Sequence, residues 1–295
     1  MELLANPCLC KAGNDRILFP QRIGPSALTA YAFSARRRRS LQHYRIVRCR
    51  ACGLVRSDPV LSDRDLGALY RASQFLYAQE SAYAARTYAS LVSRQARAFH
   101  GAGPIRLLEI GCGEGFFLKE MGRRGLKGAV GVEPSVQALG HASPEVRPTI
   151  VNDLFRRGLF QEGTFDVVCA FHLLDHLARP DALLEECFRI LDGQGLLILV
   201  CHHVDAFVNR ILGERSPVFD IEHIFLFNPA TLGRLAVSSG FALREQGRVV
   251  NTYPLSYWLR YAPVLSRIAD RLPLGIGNVP FTLNAGNIYL CAQKR

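Results

Sequence analysis

The chain has 295 residues (32.8 kDa), of which 49% are hydrophobic and 21% charged. That is enough to bury about three quarters of the unfolded surface, which excludes a disordered tail and any need for disulfides. The net charge of +11 is concentrated in the first hundred residues, which hold 16 Lys+Arg against 6 Asp+Glu, including Arg36-Arg37-Arg38-Arg39. Such a field favours an anionic partner, whether nucleic acid, a phosphorylated small molecule or an acidic membrane surface. Equally, it fits a solvated face in an arginine-rich protein.

From the N-terminus, MELLANPCLC carries Glu2 and reaches Pro7 before any apolar region forms, so no secretory leader is expected. The longest apolar run, Leu196–Cys201, is far short of a spanning helix, so an integral membrane protein is not expected either. Nine cysteines, an odd number, fit a reducing cytoplasm. Four of them form two close pairs, Cys8-x-Cys10 and Cys49-x-x-Cys52, the second followed by Gly53. Thiolates paired on tight turns are the usual way to hold a structural Zn²⁺. Residues 1–60 are therefore expected to be a zinc-binding module, with Cys8, Cys10, Cys49 and Cys52 as ligands. The remaining cysteines lie in core elements and read as packed thiols.

Residues 61–103 read as helical. Asp63 can cap a segment carrying Leu66, Leu69 and Tyr70, and Glu80–His100 holds no Gly or Pro. Gly101-Ala102-Gly103-Pro104 marks the boundary to a third zone, 104–295. There, short apolar strands alternate with helices. Strands are expected at 105–110, 129–133, 148–151, 165–170, 196–201, 241–245 and 287–292, and helices at 116–124, 135–141, 181–191 and 230–238. This pattern predicts an α/β fold with a mostly parallel sheet covered on both faces.

The first strand runs into Leu108-Glu109-Ile110-Gly111-Cys112-Gly113-Glu114-Gly115. Gly111 and Gly113 allow a ligand close to the backbone, and Gly115 lets a helix start against the strand. A dinucleotide prefers G-x-G-x-x-G, whereas the spacing here is G-x-G-x-G. Carboxylates at Glu109 and Glu114 suit a cationic ligand and would repel pyrophosphate. Glu133, ending the second strand, can accept both hydroxyls of a ribose.

Taken in order, this loop, Gly131-Val132-Glu133-Pro134-Ser135, Phe165-Asp166-Val167-Val168, Phe171–Leu177 and Leu191-Asp192-Gly193-Gln194-Gly195 resemble the class I S-adenosylmethionine-dependent methyltransferases. The resemblance implies a seven-stranded Rossmann-like sheet whose last strand is antiparallel. It implies S-adenosylmethionine as cofactor, bound by Glu109, Gly111, Cys112, Gly113, Gly115, Glu133 and, near the adenine, Asp153. Asp175-His176 stands where the family usually has Glu-His. The cysteine zone and Leu66…Leu69-Tyr70 resemble the zinc module that precedes some sugar methyltransferases. Glu222-His223 resembles the Glu-His segment that sugar C-methyltransferases place over their substrate. Those proteins have Tyr where this chain has Asp220, and they carry a further C-terminal domain.

Methyl transfer needs alignment above all, and a base only where the nucleophile must lose a proton. The candidates are His172, His176, His202, His203 and the pair Glu222-His223. Of these, His223 is the expected base, with Glu222 orienting the acceptor and His172 in reserve. In an extended segment Glu222 and His223 would point to opposite sides, unless the loop bends and brings Glu222 beside the imidazole. The expected acceptor is a small molecule or glycan, anionic and either phosphate-bearing or lipid-linked. A nucleic-acid methyltransferase using Arg36–Arg39 is an alternative, against which the absence of a nucleotide-methylase motif such as Asn-Pro-Pro-Tyr weighs. A non-catalytic protein that binds the cofactor is another. Residues 252–285 read as an insertion with an amphipathic helix bent at Pro263. It is expected to act as a lid, or through residues 253–272 to touch an anionic membrane surface.

Overall fold

The computed structural model describes residues 2–24, 28–33, 41–73, 78–100, 103–261 and 274–295. In chain order the N-terminal third gives β1 (Leu3–Leu4), β2 (Asp15–Phe19), β3 (Ile46–Cys49), β4 (Val55–Ser57), β5 (Val60–Leu61), α1 (Asp63–Arg71) and α2 (Ala78–His100). Then follow β6 (Leu107–Ile110), α3 (Phe116–Arg123), β7 (Val130–Val132), α4 (Val136–His141), β8 (Ile150–Val151), β9 (Phe165–Phe171), α5 (Pro180–Ile190) and β10 (Leu191–His202). The remainder is α6 (Phe207–Leu212), β11 (Phe225–Leu226), α7 (Pro229–Ser238), β12 (Phe241–Pro254), α8 (Leu255–Tyr261), α9 (Leu274–Gly277) and β13 (Pro280–Lys294).

Seven strands form one sheet in the order β12-β13-β10-β9-β6-β7-β8. β10, β9, β6, β7 and β8 are parallel, and β13 runs antiparallel to both its neighbours, as expected. Successive residues of the central strands go to opposite faces, because side chains alternate across a strand. Val168, Leu197, Leu199 and Cys201 pack on one face with α5 and the N-terminal third. Val167, Cys169, Ile198 and Val200 pack on the other with α2 and α3. Both faces being dry is why these strands are apolar at every position. α2 buries a stripe of Ala85, Tyr88, Ala89, Val92 and Ala96 against that second face, so the helical zone is a layer of the sheet's own core.

The second sheet has the order β11-β4-β3-β2. Three strands come from the cysteine-rich zone, and the fourth, β11, comes from the loop after β10, pairing Phe225 with Arg56 and Leu226 with Val55. One core cluster runs from Cys8, Phe33, Tyr44 and Cys49 into Leu108, Val168 and Phe225. The zones drawn at 1–60, 61–103 and 104–295 thus share a core.

Some expected element ends move. Ser62, not Asp63, caps α1, its hydroxyl accepting from Asp65 N–H. β12 and β13 are much longer than expected and still pair at Thr252↔Thr282 and Pro254↔Pro280. The insertion therefore narrows from 252–285 to the stretch between Pro254 and Pro280. Residues 262–273, which carry Pro263 and most of the expected amphipathic helix, lie outside the described residues, as do Arg36–Arg39. Among the described residues no helix is long and apolar enough to cross a membrane.

Candidate active site

The glycine loop leaves β6 with Gly111, Gly113 and Gly115 at φ of 73°, 53° and 77°, a region costly for other residues. Gly111 N–H and Cys112 N–H donate to Val132 O at 2.8 and 3.2 Å, tying the loop to β7. The Glu133 carboxylate accepts from Gly113 N–H and Ser135 N–H, each at 2.9 Å, and so joins the two ligand-facing loops. Burial raises its pKa, an effect tempered by those two N–H groups. Glu109 is 5% exposed, and its Oε2 has no hydrogen-bond partner. Burial, then the charge of Glu133, pushes Glu109 well above the carboxylate range.

A cavity of 1650 Å³ opens here, lined by Glu109, Gly111, Cys112, Gly113 and Glu133. It extends past Phe171, His172, His176 and His202 to Glu222, His223, Tyr253, Tyr257 and Trp258. Two expected cofactor residues do not line it. Gly115 is the N-cap of α3, with Val146 and Ile150 against the space a Cβ would fill. Asp153 folds back on its own loop, accepting from Leu154 N–H and from Arg156, while Leu154 and Phe155 line the cavity instead. Cys112 lines the cavity and also packs against Gly131 of β7. Its Sγ would lie 2.5 Å from any Cβ at Gly131, and burial pushes its thiol well above the usual range.

Four histidines meet at the other end. His172 and His202 have ring centroids 4.4 Å apart, His202 and His223 5.0 Å, and His176 and His223 4.9 Å. Each has a fixed partner: Tyr88 Oη with His172 Nε2 at 2.9 Å, Tyr70 Oη with His176 Nδ1 at 3.0 Å, Asn287 Oδ1 with His202 Nδ1 at 3.1 Å, and Val218 O with His223 Nδ1 at 2.9 Å. Burial holds His172 and His176 well below the ordinary histidine range and takes His223 down to about 4. His172, His176 and His223 are therefore neutral near pH 7, and His223 is a weaker base than an unperturbed histidine.

Glu222 and His223 both line the cavity. They do not project to opposite sides of a strand because the segment turns here, His223 N–H donating to Asp220 O at 3.1 Å. Sequence reasoning missed Tyr70, Tyr88, Asn251 and Asn287, which also line the cavity. Tyr70 was visible only as a helix residue, and the asparagines only as positions in a distant hairpin. Nothing local marked any of the four for the cavity.

The four expected metal ligands come together. Cys8 Sγ lies 3.4 Å from Cys52 Sγ, and Cys10 Sγ lies 3.5 Å from Cys8 Sγ and 3.6 Å from Cys49 Sγ. All four sulfurs fall within 4.8 Å of one another. Burial alone would raise the Cys49 thiol, but the Cys52 and Ala51 N–H groups outweigh it and bring the pKa to about 7. Gly53 closes the second knuckle at φ 78°, its N–H donating to Cys49 O at 2.9 Å.

A family model described as a methyltransferase domain matches residues 81–246, from α2 through β12. The chain belongs to that family. It is a class I S-adenosylmethionine-dependent methyltransferase. Among curated relatives it is 25% identical over 190 residues to a ubiquinone biosynthesis O-methyltransferase of Psychrobacter cryohalolentis, spanning 59% of this chain and 73% of the relative. A Psychrobacter arcticus protein of the same name is 25% identical over 175 residues, 54% of this chain and 68% of that one. Among solved structures, the plantazolicin methyltransferase BpumL in complex with SAH shares the fold. Its TM-score is 0.51 at 14% identity, over 79% of this chain and 90% of that one.

Proposed function

We propose that this methyltransferase acts on a hydroxyl of a small-molecule or glycan acceptor with a flat or apolar portion. The observation that carries this is the continuity of one cavity from Glu133 to the histidine cluster and the Tyr253–Tyr257–Trp258 wall. The curated relatives named as O-methyltransferases support oxygen as the methylated atom.

The residues present fit the cofactor. Glu133 offers its remaining lone pairs to ribose hydroxyls, and the unpartnered Glu109 Oε2 suits a cationic group. Bound S-adenosylmethionine supplies a methyl group on a sulfonium, whose departure leaves neutral S-adenosylhomocysteine. An acceptor oxygen that displaced it would take the methyl carbon, the sulfur keeping the electron pair of the broken carbon–sulfur bond. His223, neutral and held through Nδ1, takes the hydroxyl proton at Nε2. Glu222 orients the acceptor. His172 and the aromatic wall exclude water from the reaction.

Tyr253 stacks on Tyr257 at 4.2 Å, and Trp258 Nε1–H donates to Phe281 O at 2.7 Å. These contacts support reading the insertion as a lid. Cys8, Cys10, Cys49 and Cys52 fit a tetrahedral Zn²⁺, which would tie the N-terminal zone together. The odd number of cysteines, nine, supports a reducing, cytoplasmic setting. The test is mass spectrometry of a pool of phenolic, sugar and lipid-linked acceptors after incubation with isotopically labelled cofactor. Label on an oxygen of a small acceptor supports the reading. Label only on nitrogen, carbon or nucleic acid overturns it.

A further inference from the structure

His172, Asp175 and His202 present three ligand atoms within 4.8 Å of one another beside the acceptor end of the cavity. Each comes with its other polar atom already engaged. His172 Nε2 is taken by Tyr88 Oη at 2.9 Å, and its Nδ1 is buried with no hydrogen-bond partner. Asp175 is fully buried. Its Oδ2 accepts from His202 N–H at 3.0 Å, and its Oδ1 is also buried without a partner. His202 Nδ1 faces Asn287 Oδ1 at 3.1 Å, an acceptor that engages Nδ1 as a donor, so Nε2 is the nitrogen left to ligate.

Two buried polar atoms left unpaired, one on each of two of these side chains, are costly. Each forfeits roughly 1–3 kcal/mol unless something binds there. Two imidazoles and one carboxylate are the donor set of a facial triad, which holds a divalent transition ion and keeps positions open for other ligands. Partners that fix the non-ligating atom of each ligand are the usual second layer of a metal site. His172 sits at φ 51°, a strained setting for a non-glycine residue, and its N–H donates to Val200 O at 2.8 Å, so the ring is held where it is.

We propose that His172, Asp175 and His202 bind one divalent transition-metal ion whose open positions face the acceptor. The proposal rests on the methyltransferase reading of the same cavity for its function, but not for its existence. The ion would take the acceptor's oxygen as a ligand and so fix its approach and favour loss of its proton. It also gives His172 a role other than reserve base. An acceptor with two neighbouring oxygens would fill the open positions best.

The test is Co²⁺ titration of untagged full-length protein whose cysteine site is kept filled with zinc. Ligation by nitrogen and oxygen gives visible Co²⁺ absorption without the intense thiolate charge-transfer band, so the two sites are told apart. One Co²⁺ per chain with that spectrum is expected. His202→Ala and His172→Asn should weaken it at least tenfold, Asn tolerating the positive φ at 172. Tyr88→Phe should weaken it roughly 10–100-fold through the lost outer hydrogen bond. S-adenosylhomocysteine binding is measured on the same samples. If the unmodified protein binds no more Co²⁺ than His172→Asn and His202→Ala while still binding S-adenosylhomocysteine, the metal site is overturned and the methyltransferase reading stands. If Co²⁺ binds as expected and S-adenosylhomocysteine does not, the metal site stands and the reading of the cavity falls.

Discussion

The glycine loop and the histidine cluster lie at two ends of one cavity and are built in opposite ways. The loop is local. Gly111, Gly113, Glu109 and Glu133 come from a strand, the turn after it and the end of the next strand, and the bonds that tie the loop down, Gly111 N–H to Val132 O and Gly113 N–H to the Glu133 carboxylate, stay within that stretch. The cluster is assembled from afar, with His172 held by Tyr88 of α2, His202 by Asn287 of β13, and His176 by Tyr70 of α1. The His223 segment depends on the cysteine-rich zone: Ser57 Oγ–H donates to His223 O and Ser57 N–H to Ile224 O, both at 2.8 Å. The glycine-loop end is thus a self-contained motif, whereas the histidine end draws on several layers of the molecule.

The largest break in that comparison should come from the cysteines. Cys49→Ser with Cys52→Ser should release about one zinc per chain and open residues 1–60 to protease, since structural zinc supplies on the order of 10 kcal/mol of folding energy. Methyl transfer should fall with it, because β4 carries Ser57 beneath His223, while cofactor affinity stays nearly unchanged. Metal content, limited proteolysis and calorimetry on one sample check all three. Next in size, His223→Ala should lower turnover roughly 10²–10⁴-fold, read by steady-state kinetics with the cofactor dissociation constant held as control. Near-full activity in His223→Ala with loss in His172→Ala would move the base to His172. If neither matters, the acceptor needs no base.

A smaller effect sharpens the other end. Glu133→Ala should weaken the cofactor by roughly 1–3 kcal/mol, the worth of charge-assisted hydrogen bonds, with no effect on zinc. The smallest is Ser57→Ala, which removes one hydrogen bond beneath His223 and should cost about 0.5–1.5 kcal/mol in stability. Its effect on turnover should exceed its effect on cofactor affinity. Equal effects on both would mean that the two ends of the cavity are not independent.

This contrast also explains what could be read from the amino-acid order. The sheet was legible because its strands are buried on both faces and therefore apolar throughout, as at Val167–Ala170 and Leu196–Cys201. The glycine loop was legible because positive φ at three alternate positions needs glycine there. The hydrogen bonds of Asp153 were not legible, because its position in the chain says which loop it is on, not that its carboxylate turns back to Leu154 and Arg156. For Glu222 and His223 the sequence left open an extended segment or a bend, and the turn closed by His223 N–H and Asp220 O selects the bend. β11 was invisible, because two residues pairing with Val55 and Arg56 across so long a stretch leave no periodic signal. The ends of β12 and β13 were missed because exposed residues such as Val250, Phe281 and Leu283 break the buried pattern while backbone pairing continues.

The central claim is that the cavity at the glycine loop holds S-adenosylmethionine through Glu133. Calorimetric titration of the intact chain and of Glu133→Ala with S-adenosylhomocysteine tests it most directly. One molecule should bind per chain, and Glu133→Ala should lower the affinity by roughly 5–150-fold, the equivalent of 1–3 kcal/mol. An identical dissociation constant for the two proteins, or no binding to the intact chain, would contradict the account.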